Sequence, residues 1–383
     1  MAAEPIRKTL PGAAYHSDET YAVDRERVFF RNWLYAGRAD RLATRGTWLR
    51  FEIAGESILL VRGKDDRIRG FYNVCRHRGS RLCDAEQGEV RTHLRCPYHA
   101  WGYALDGTLV TTPMVEPDEI DRERTSLWPV HTAVWEGFVF VNLSREEPEP
   151  LRDFLASQQD EVLGLARVGL AELRIAHLST VDVQANWKIV LENYNECLHC
   201  PTVHPELMAV VPAYRKGSIF ETGRDDGGVT LADGRTAVAA DPRLRLPLLP
   251  GLKGQQGPAA YFGAAVYPGM FLDVDGSTAL ATAVFPTGPR SCRLVTEYLF
   301  SPEAFEDPHF DPQPVIDFNE LVTRQDNEAC ERVQRGVTSR AFEHGVFPAK
   351  DAWVYAFDQR YLRDVARAAP PLTPPEREPR VAD

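Results

Sequence analysis

The hydrophobic and polar positions divide this chain into a β-rich first part and a mixed second part. In the first part, apolar residues either alternate with polar ones or form short runs, which predicts short antiparallel strands. Trp48–Ile53 alternates, Ser57–Val61 is continuously apolar, and Gly137–Asn142 closes the region. The tight turn expected at Asp106 and Gly107 fits a meander of such strands.

The second part adds longer strands and helices. Ile175–Val183 and Arg293–Phe300 have the β-branched and apolar content of strands. Asn186 can cap a helix that begins after it. A long amphipathic helix is predicted over residues 315–333, whereas residues 212–258 are rich in Gly, Pro and Asp and fit either an active-site lid or a surface insertion.

These elements predict an α+β protein in four segments. Residues 1–40 form a lead-in with a helix that packs on the later, mixed domain. Residues 41–150 form the β-rich domain, which ends at a polar linker marked by two prolines. Residues 151–368 form the mixed domain. The proline-rich tail at 369–383 is expected to be disordered or loosely attached.

Composition and charge restrict the class of protein. The chain has 383 residues, is 44% hydrophobic and carries a net charge of -11. It has no basic run of the kind that binds nucleic acid or anionic membranes, no apolar run long enough to cross a membrane, and no apolar signal core, so we expect a cytoplasmic protein. Its seven scattered cysteines favour reduced thiols and metal ligands over a disulfide framework.

Two Cys–His pairs inside the β-rich region are the most specific signal. Cys75-Arg-His77 is followed after eighteen residues by Cys96-Pro-Tyr-His99. Two cysteines and two histidines are the ligands of a Rieske [2Fe–2S] cluster, in which Cys binds one iron and His the other. A mononuclear zinc site with the same ligands is the main alternative, but its usual spacing keeps the cysteines together and the histidines together.

A second stretch, residues 192–204, is dense in metal-binding side chains. If the stretch is helical throughout, Glu192, Glu196 and His199 share one face. His199 and His204 are five residues apart, so binding one metal requires a break between them, which Pro201 could supply.

Three interpretations of this stretch are open. One is a non-haem iron site in which His199, His204 and a distant carboxylate form a facial triad. Another is a structural zinc site that uses Cys197, Cys200 and a histidine. The third is a helix end with satisfied polar side chains.

Asp326 is the candidate for the distant carboxylate. On the predicted long helix it lies four residues after Val322 and three before Ala329, which places it on the apolar face. A carboxylate in that position is costly unless it is paired or binds a metal. A buried pair with an arginine is the alternative to a ligand role.

The motifs together resemble the oxygenase (α) subunits of Rieske non-haem iron oxygenases. The resemblance rests on NVCRHRGSRLC, LRCPYHAWGYALDG, NWKIVLENYNECLHCPTVHPEL and RQDNEACERVQRG, in this order. The spelling ENYNECLHC is closer to the choline, glycine betaine and carnitine monooxygenase branch. The resemblance assigns cluster ligands to Cys75, His77, Cys96 and His99, and iron ligands to His199, His204 and Asp326.

The resemblance also implies a fold, cofactors and partners. It implies a Rieske β-sandwich domain and a catalytic domain with an antiparallel sheet flanked by helices, holding a [2Fe–2S] cluster and a mononuclear Fe(II). It further implies a homotrimer, fed with electrons by an NAD(P)H-dependent flavin and iron–sulfur reductase. Glu196 holds the position of a carboxylate that bridges the two metal centres of neighbouring subunits, and Asn193 could orient it.

The implied reaction is hydroxylation, with N-demethylation, of a small methylated ammonium substrate by O₂. A cation needs aromatic faces. The candidates in the second domain are Tyr194, Tyr267, Phe271 and Phe285, followed by Tyr261, Trp353, Tyr355 and Phe357. Residues 271–277 depart from the betaine-demethylating branch. A Rieske oxygenase of aromatic or other non-ammonium substrates, and a non-enzymatic Rieske electron carrier, are the alternatives.

Overall fold

The computed structural model describes two compact units. The residues described are 7–116, 118–158, 162–219, 221, 228–254 and 259–367. One unit comprises residues 29–151, and the other comprises residues 7–28 and 152–367. Of the lead-in predicted over residues 1–40, residues 29–40 therefore lie in the β-rich unit. The tail at 369–383 and parts of the 212–258 segment lie outside the described residues.

The strands of the described chain are all short to medium in length. They are β1 Arg7–Lys8, β2 Leu34–Arg38, β3 Thr47–Ile53, β4 Glu56–Arg62, β5 Ile68–Tyr72, β6 Gln87–Glu89, β7 His93–Arg95, β8 Gly102–Ala104, β9 Leu109–Thr111, β10 Pro129–Trp135, β11 Phe138–Asn142, β12 Arg174–Val183, β13 Val229–Thr230, β14 Ala260–Val266, β15 Met270–Val274, β16 Thr278–Gly288, β17 Ser291–Phe300 and β18 Val346–Phe347.

The α-helices of the described chain lie mostly in its second half. They are α1 Asp18–Asp24, α2 Leu151–Ala156, α3 Trp187–Tyr194, α4 Cys200–Val203, α5 Leu207–Val210, α6 Gln313–Val337 and α7 Ala352–Val365. The long predicted helix is confirmed as α6, and Asn186 caps α3 by accepting a hydrogen bond from the N–H of Lys188. None of the helices in the described ranges combines the length and the apolar character that a membrane span requires.

The β-rich unit contains a seven-stranded and a three-stranded antiparallel sheet. Their strand orders are β2-β11-β10-β5-β4-β3-β6 and β7-β8-β9. The alternating and apolar runs predicted from the sequence pair as β3 and β4. Gly107 adopts a positive φ of 86° in the turn between β8 and β9, and a side chain there would collide with the ring of Phe71. The two Cys–His pairs lie on the loops that follow β5 and β7.

The mixed unit is built on one six-stranded antiparallel sheet. Its order is β12-β17-β16-β15-β14-β13, with β16 and β17 paired along most of their length. Helix α6 lies against this layer through Val315, Ile316 and Phe318, which are buried. Antiparallel sheets with helices in this arrangement confirm the predicted α+β class.

A buried ion pair connects three helices of the mixed unit. Asp24 of α1 and Lys188 of α3 contact each other, and both side chains are fully buried. Asp24 also accepts hydrogen bonds from the Trp187 indole at 3.0 Å and from the Tyr361 hydroxyl of α7 at 2.8 Å. Burial lowers the pKa of Lys188, and the charge of Asp24 opposes that change.

Candidate metal centres and substrate cavity

The two Cys–His pairs lie on two loops of the β-rich unit. The first loop follows β5, and the second connects β7 to β8. Each loop is closed by a backbone hydrogen bond back to its cysteine, from Gly79 N–H to the Cys75 carbonyl at 3.0 Å and from Ala100 N–H to the Cys96 carbonyl at 3.1 Å. These short turns fix the side chains of both pairs on rigid strand ends.

The four side chains gather with the cysteines inside and the histidines outside. Cys75 and Cys96 are buried, whereas His77 is exposed and His99 is half-buried. The two imidazole rings have their centroids 4.5 Å apart, and His77 stacks on Trp101 with centroids 4.6 Å apart. The imidazole side is therefore the side open to solvent.

Hydrogen bonds at the cysteines favour sulfur in the thiolate form that a metal requires. The Tyr103 hydroxyl lies 3.2 Å from the Cys75 Sγ. Burial raises the pKa of the Cys75 thiol, and this hydrogen bond opposes the rise. Burial acts in the same direction on Cys96, but hydrogen bonds from the N–H groups of Tyr98 and His99 leave the pKa of that thiol lowered.

The arrangement fits two irons better than one zinc. Within the described ranges, only one set of three or more metal-binding side chains brings its ligand atoms within 4.8 Å of one another, and that set lies in the other unit. The four loop ligands thus do not converge on a single point, as tetrahedral zinc requires. A cysteine pair and a separate histidine pair are what a Rieske [2Fe–2S] cluster needs.

The second dense stretch is not one continuous helix. Helix α3 ends at Tyr194, and α4 begins at Cys200. The prediction that Glu192, Glu196 and His199 share a helical face is therefore wrong, because Glu196 and His199 lie in the connection. Glu192 instead accepts a hydrogen bond from the Tyr15 hydroxyl at 2.8 Å.

The break between the two histidines also lies elsewhere than predicted. Pro201 sits in the first turn of α4, where its missing N–H costs nothing. Helix α3 ends at Tyr194, before His199, and His204 follows the end of α4. The single short helix α4, which starts just after His199 and ends just before His204, places the two imidazoles next to each other.

His199, His204 and Asp326 form the one compact set of side chains in the described chain that could hold a metal ion. Their ligand atoms all lie within 4.8 Å of one another. One Asp326 carboxylate oxygen lies 3.3 Å from His199 Nε2 and 2.9 Å from His204 Nε2. Asp326 comes from α6, more than a hundred residues along the chain, so only the fold brings the carboxylate to the histidines. Two imidazoles and one carboxylate on one side of an ion suit non-haem Fe(II).

The second nitrogen of each histidine is held by a neighbouring side chain. Glu196 contacts His199 Nδ1, and the Gln325 Oε1 lies 2.8 Å from His204 Nδ1. Such partners set the tautomer and leave each Nε2 free for the metal. The role of Gln325 was missed from the sequence, although its place beside Asp326 on one helix was the available signal.

The electrostatics of the triad suit a divalent cation. Burial alone would lower the pKa of His199, but the carboxylates of Asp326 and Glu196 raise it to about 9. Burial would raise the pKa of Asp326, and the two histidines lower it below its usual value. Two carboxylates thus surround two imidazoles, and a metal ion supplies the positive charge that this set attracts.

Cys197 and Cys200 are joined in a disulfide. The expectation of reduced thiols is wrong for this pair, because the turn into α4 brings the two Cα atoms to 5.0 Å, within the range that a disulfide spans. A zinc site would need both sulfurs as thiolates, so the structure contradicts the zinc interpretation. The remaining five cysteines are free.

A cavity of about 190 Å³ opens beside the triad. This volume lies below the roughly 300–1,000 Å³ of typical ligand sites, so it favours a compact ligand. Its lining includes the three candidate metal ligands, Glu196 and Asn193. The aromatic side chains that line the cavity are Tyr194, Tyr214, Tyr261, Phe271 and Trp353.

Four of the eight aromatic residues predicted for the cavity lie elsewhere, namely Tyr267, Phe285, Tyr355 and Phe357. Tyr267 is buried past the end of β14, where its ring packs against Trp187 and Phe357. Phe285 lies on the opposite face of β16 from Leu280 and Thr282, which line the cavity, because side chains alternate along a strand. The prediction that Tyr267 and Phe285 line the cavity is therefore wrong.

Asp273 of β15 lines the cavity and was missed as a site residue. One of its carboxylate oxygens accepts hydrogen bonds from the Tyr194 hydroxyl at 2.7 Å and from the Tyr261 hydroxyl at 2.6 Å. A carboxylate between apolar residues on an alternating strand was the available signal. Its position two residues from Phe271 puts both side chains on the cavity face.

Comparisons with known proteins agree with this geometry. The ring hydroxylating alpha subunit (catalytic domain) family matches residues 170–367, and the Rieske [2Fe-2S] domain family matches residues 32–132. The glycine betaine monooxygenase oxygenase subunit of Chromohalobacter salexigens is 30% identical, over 88% of this chain and 81% of that protein. The chain belongs to the Rieske non-haem iron oxygenases. In this family it is an oxygenase (α) subunit.

Two further relatives support the same family. The carnitine monooxygenase oxygenase subunit of Escherichia coli K12 is 30% identical, over 87% of this chain and 85% of that protein. A solved quaternary ammonium Rieske monooxygenase is 24% identical and superposes with a TM-score of 0.77. The match covers 94% of this chain and 96% of the solved chain. At this identity the solved structure supports the fold.

Family membership establishes the class of enzyme and its cofactors. A Rieske oxygenase of this kind is an oxidoreductase that holds a [2Fe–2S] cluster and a mononuclear iron and receives electrons from a separate reductase. The described side chains fit both groups, since a buried cysteine pair with an outer histidine pair suits the cluster, and the two-histidine, one-carboxylate set suits the iron. The electron-carrier alternative is not supported.

Replacing His99 with alanine should abolish the visible absorption of the Rieske cluster. The outer iron would lose one of two imidazoles, and iron content should fall from about three to about one per chain. His93→Ala is the matched control, since His93 lies between the two loops and contacts Thr92. An unchanged spectrum in His99→Ala, measured beside this control, would remove His99 from the ligand set.

Proposed function

We propose that this protein is the terminal oxygenase of a monooxygenase that hydroxylates a small methylated ammonium compound. The observation that carries the proposal is the cavity, in which five aromatic rings and a carboxylate lie beside a two-histidine, one-carboxylate triad. Aromatic faces bind quaternary ammonium groups through cation–π attraction. The names of the relatives, which act on glycine betaine and carnitine, support the same substrate class.

Each side chain has a defined part in the proposed reaction. Cys75, His77, Cys96 and His99 hold the cluster, and His199, His204 and Asp326 hold the iron. When bound, the cluster stores an electron and the iron activates O₂. The aromatic walls hold the ammonium group and direct one of its methyl groups toward the triad. Glu196 and Gln325 keep the two iron-binding imidazoles oriented.

The overall reaction balances with electrons from a reductase. One O₂, two electrons and two protons convert a substrate C–H bond into C–OH, and the second oxygen leaves as water. When the hydroxylated carbon is an N-methyl group, its C–N bond breaks. The electron pair of that bond stays on nitrogen and the hydroxyl proton is released, which gives formaldehyde and the demethylated amine.

The partner and assembly follow from the same proposal. We infer an NAD(P)H-dependent flavin and iron–sulfur reductase as the electron donor, a homotrimer as the working assembly, and the cytoplasm as its location. The solved structure of the quaternary ammonium enzyme gives insights into electron transfer between subunits, and this supports an assembly of several subunits. In it, Glu196 would connect the iron centre of one subunit to the cluster of its neighbour, and Asn193, which also lines the cavity, would help to orient Glu196.

Glu196→Gln should slow electron transfer from cluster to iron while both centres stay loaded. The amide keeps the size of the side chain but loses the charge that contacts His199 Nδ1. We expect the rate of cluster oxidation in a single turnover to fall about 10- to 100-fold, as for other partners of metal ligands. Glu328→Gln, an exposed position on α6, is the control. A normal rate in Glu196→Gln, with both metals present, would exclude the bridging role.

A turnover assay tests the substrate class directly. The loaded protein, a surrogate reductase and NADH would be incubated with quaternary and tertiary methylamines and with simple aromatic acids. We expect formaldehyde and matching oxygen uptake from at least one methylamine. A hydroxylated or dihydroxylated aromatic product without formaldehyde would overturn the ammonium substrate and keep the oxygenase chemistry.

A further inference from the structure

The acidic side chain inside the cavity carries information about the charge of the substrate. Asp273 lies on β15 and faces the cavity together with Phe271. It is held from two sides by the hydroxyls of Tyr194 and Tyr261. These two tyrosines come from α3 and β14, so the carboxylate is fixed by separate elements of the fold.

The backbone opposite Asp273 leaves room for this arrangement. Gly263 pairs with Asp273 across β14 and β15. A Cβ atom at residue 263 would lie 3.0 Å from the Tyr194 hydroxyl and 3.5 Å from the Asp273 carboxylate. Glycine therefore keeps the space beside the carboxylate open and lets the tyrosine reach it.

The aromatic rings lie next to the same carboxylate. Tyr194 stacks on Phe271 with ring centroids 4.0 Å apart, and Tyr214 meets Tyr261 edge-on at 6.2 Å. Two of these four rings carry the hydroxyls that hold Asp273. A cation that contacts the ring faces would therefore also feel the negative charge of Asp273.

Asp273 is mainly a carboxylate at neutral pH. Burial raises its pKa to about 6, and the hydrogen bonds from Tyr261 and Tyr194 limit that rise. A cation bound beside it would lower the pKa again, because an opposite charge favours the ionised form.

The described part of the cavity wall has no positively charged side chain. Among the cavity-lining residues that the structure describes, the acidic ones are Glu196, Asp273 and Asp326, and none is lysine or arginine. A divalent metal at the triad would balance two of the three negative charges. One negative charge is left, which one substrate cation neutralises.

We propose that the substrate is a compact organic monocation without a carboxylate, such as a methylated amino alcohol or a simple methylamine. A zwitterion such as glycine betaine or carnitine would bring its own carboxylate into a cavity whose described wall has no cation to receive it and has Asp273 to repel it. The inference rests on the proposed function and separates this chain from the relatives named for those zwitterions.

The size of the effect follows from simple electrostatics. Two carboxylates about 6 Å apart, at an effective dielectric constant of about 20, repel each other enough to weaken binding roughly 100-fold. Allowing for solvent that enters with the ligand, we expect a preference of at least about 30-fold for the plain cation.

Equilibrium binding to the iron-loaded protein, kept anaerobic, tests the inference without turnover. Three matched ligands would be titrated by calorimetry: choline, glycine betaine and 3,3-dimethylbutan-1-ol, the neutral carbon analogue of choline. We expect choline to bind at least about 30-fold more tightly than either of the other two. Equal or tighter binding of glycine betaine would overturn the inference.

The variant Asp273→Asn assigns the preference to one residue. It should weaken the binding of choline about tenfold or more. The ratio of choline affinity to glycine betaine affinity should fall to about threefold or less. The control Asp182→Asn removes an exposed carboxylate of β12 that pairs with Arg293, and should leave both values unchanged. A full preference that persists in Asp273→Asn would overturn the role of Asp273. If this variant does not fold, the wild-type ligand series still decides the question.

The two proposals fail in different ways. Formaldehyde from glycine betaine together with tight betaine binding would overturn the charge preference and leave the ammonium oxygenase standing. Aromatic products with no binding of any ammonium ligand would overturn both.

Discussion

Replacing Asp326 with alanine should remove the mononuclear iron and abolish turnover, while the spectrum of the Rieske cluster stays unchanged. Asp326 is the only carboxylate among the three ligand side chains that lie within 4.8 Å of one another. Without it, two neutral imidazoles remain, and they hold Fe(II) weakly because the site loses its anionic ligand. Replacing a mere partner of a ligand costs about 10- to 100-fold in affinity or activity, so loss of the ligand should exceed about 100-fold.

Metal analysis and spectroscopy separate this outcome from general damage. Iron content should fall from about three to about two per chain, with the visible spectrum of the cluster retained. Glu328→Ala is the matched control, because Glu328 is an exposed carboxylate two residues further along α6. Retained turnover with about three irons in Asp326→Ala would exclude Asp326 as a ligand.

Asp24→Ala should destabilise the mixed unit by about 3–5 kcal/mol, the usual cost of removing one partner of a buried ion pair. Asp24 and Lys188 are both fully buried. The substitution leaves the Lys188 ammonium without its counter-charge, and the Trp187 N–H and Tyr361 O–H without their acceptor. Since these groups belong to α1, α3 and α7, the loss should weaken the packing of all three helices.

Urea unfolding followed by tryptophan fluorescence would measure the change in the free energy of unfolding. Asp182→Ala removes an exposed carboxylate of the same unit and should cost no more than about 1 kcal/mol. Adding Lys188→Met to Asp24→Ala should recover part of the loss, because an apolar side chain has no charge to bury. A change below about 1 kcal/mol in Asp24→Ala would contradict the importance of this pair.

Several errors of the sequence interpretation have one common cause. The prediction that Glu192, Glu196 and His199 share one face requires a continuous helix, but α3 ends at Tyr194. The disulfide between Cys197 and Cys200 depends on the turn that follows this end. Local helix ends are decided by packing and caps that a pattern of residue types does not contain.

The residues of the cavity likewise depend on packing that a pattern of residue types does not contain. Residue type and domain alone predict the aromatic cavity residues, yet Tyr267 and Phe285 point away from the cavity. The same reasoning does not predict Asp273, although its carboxylate contacts both Tyr194 and Tyr261. A strand has two faces, and which face meets a cavity depends on the elements that cover the sheet.

The sequence by itself determined the class of this protein, because metal ligands at fixed short spacing carry their chemistry with them. Two Cys–His pairs, two histidines five residues apart and an inward carboxylate on a long helix were enough to predict both centres. The tertiary structure alone decided that Asp326 reaches His199 and His204, that Gln325 contacts His204, and that Asp273 faces the cavity beside them. These contacts join residues 79 to 122 positions apart in the chain. Only the packing of helices on the sheet brings such segments together, and no local pattern records it.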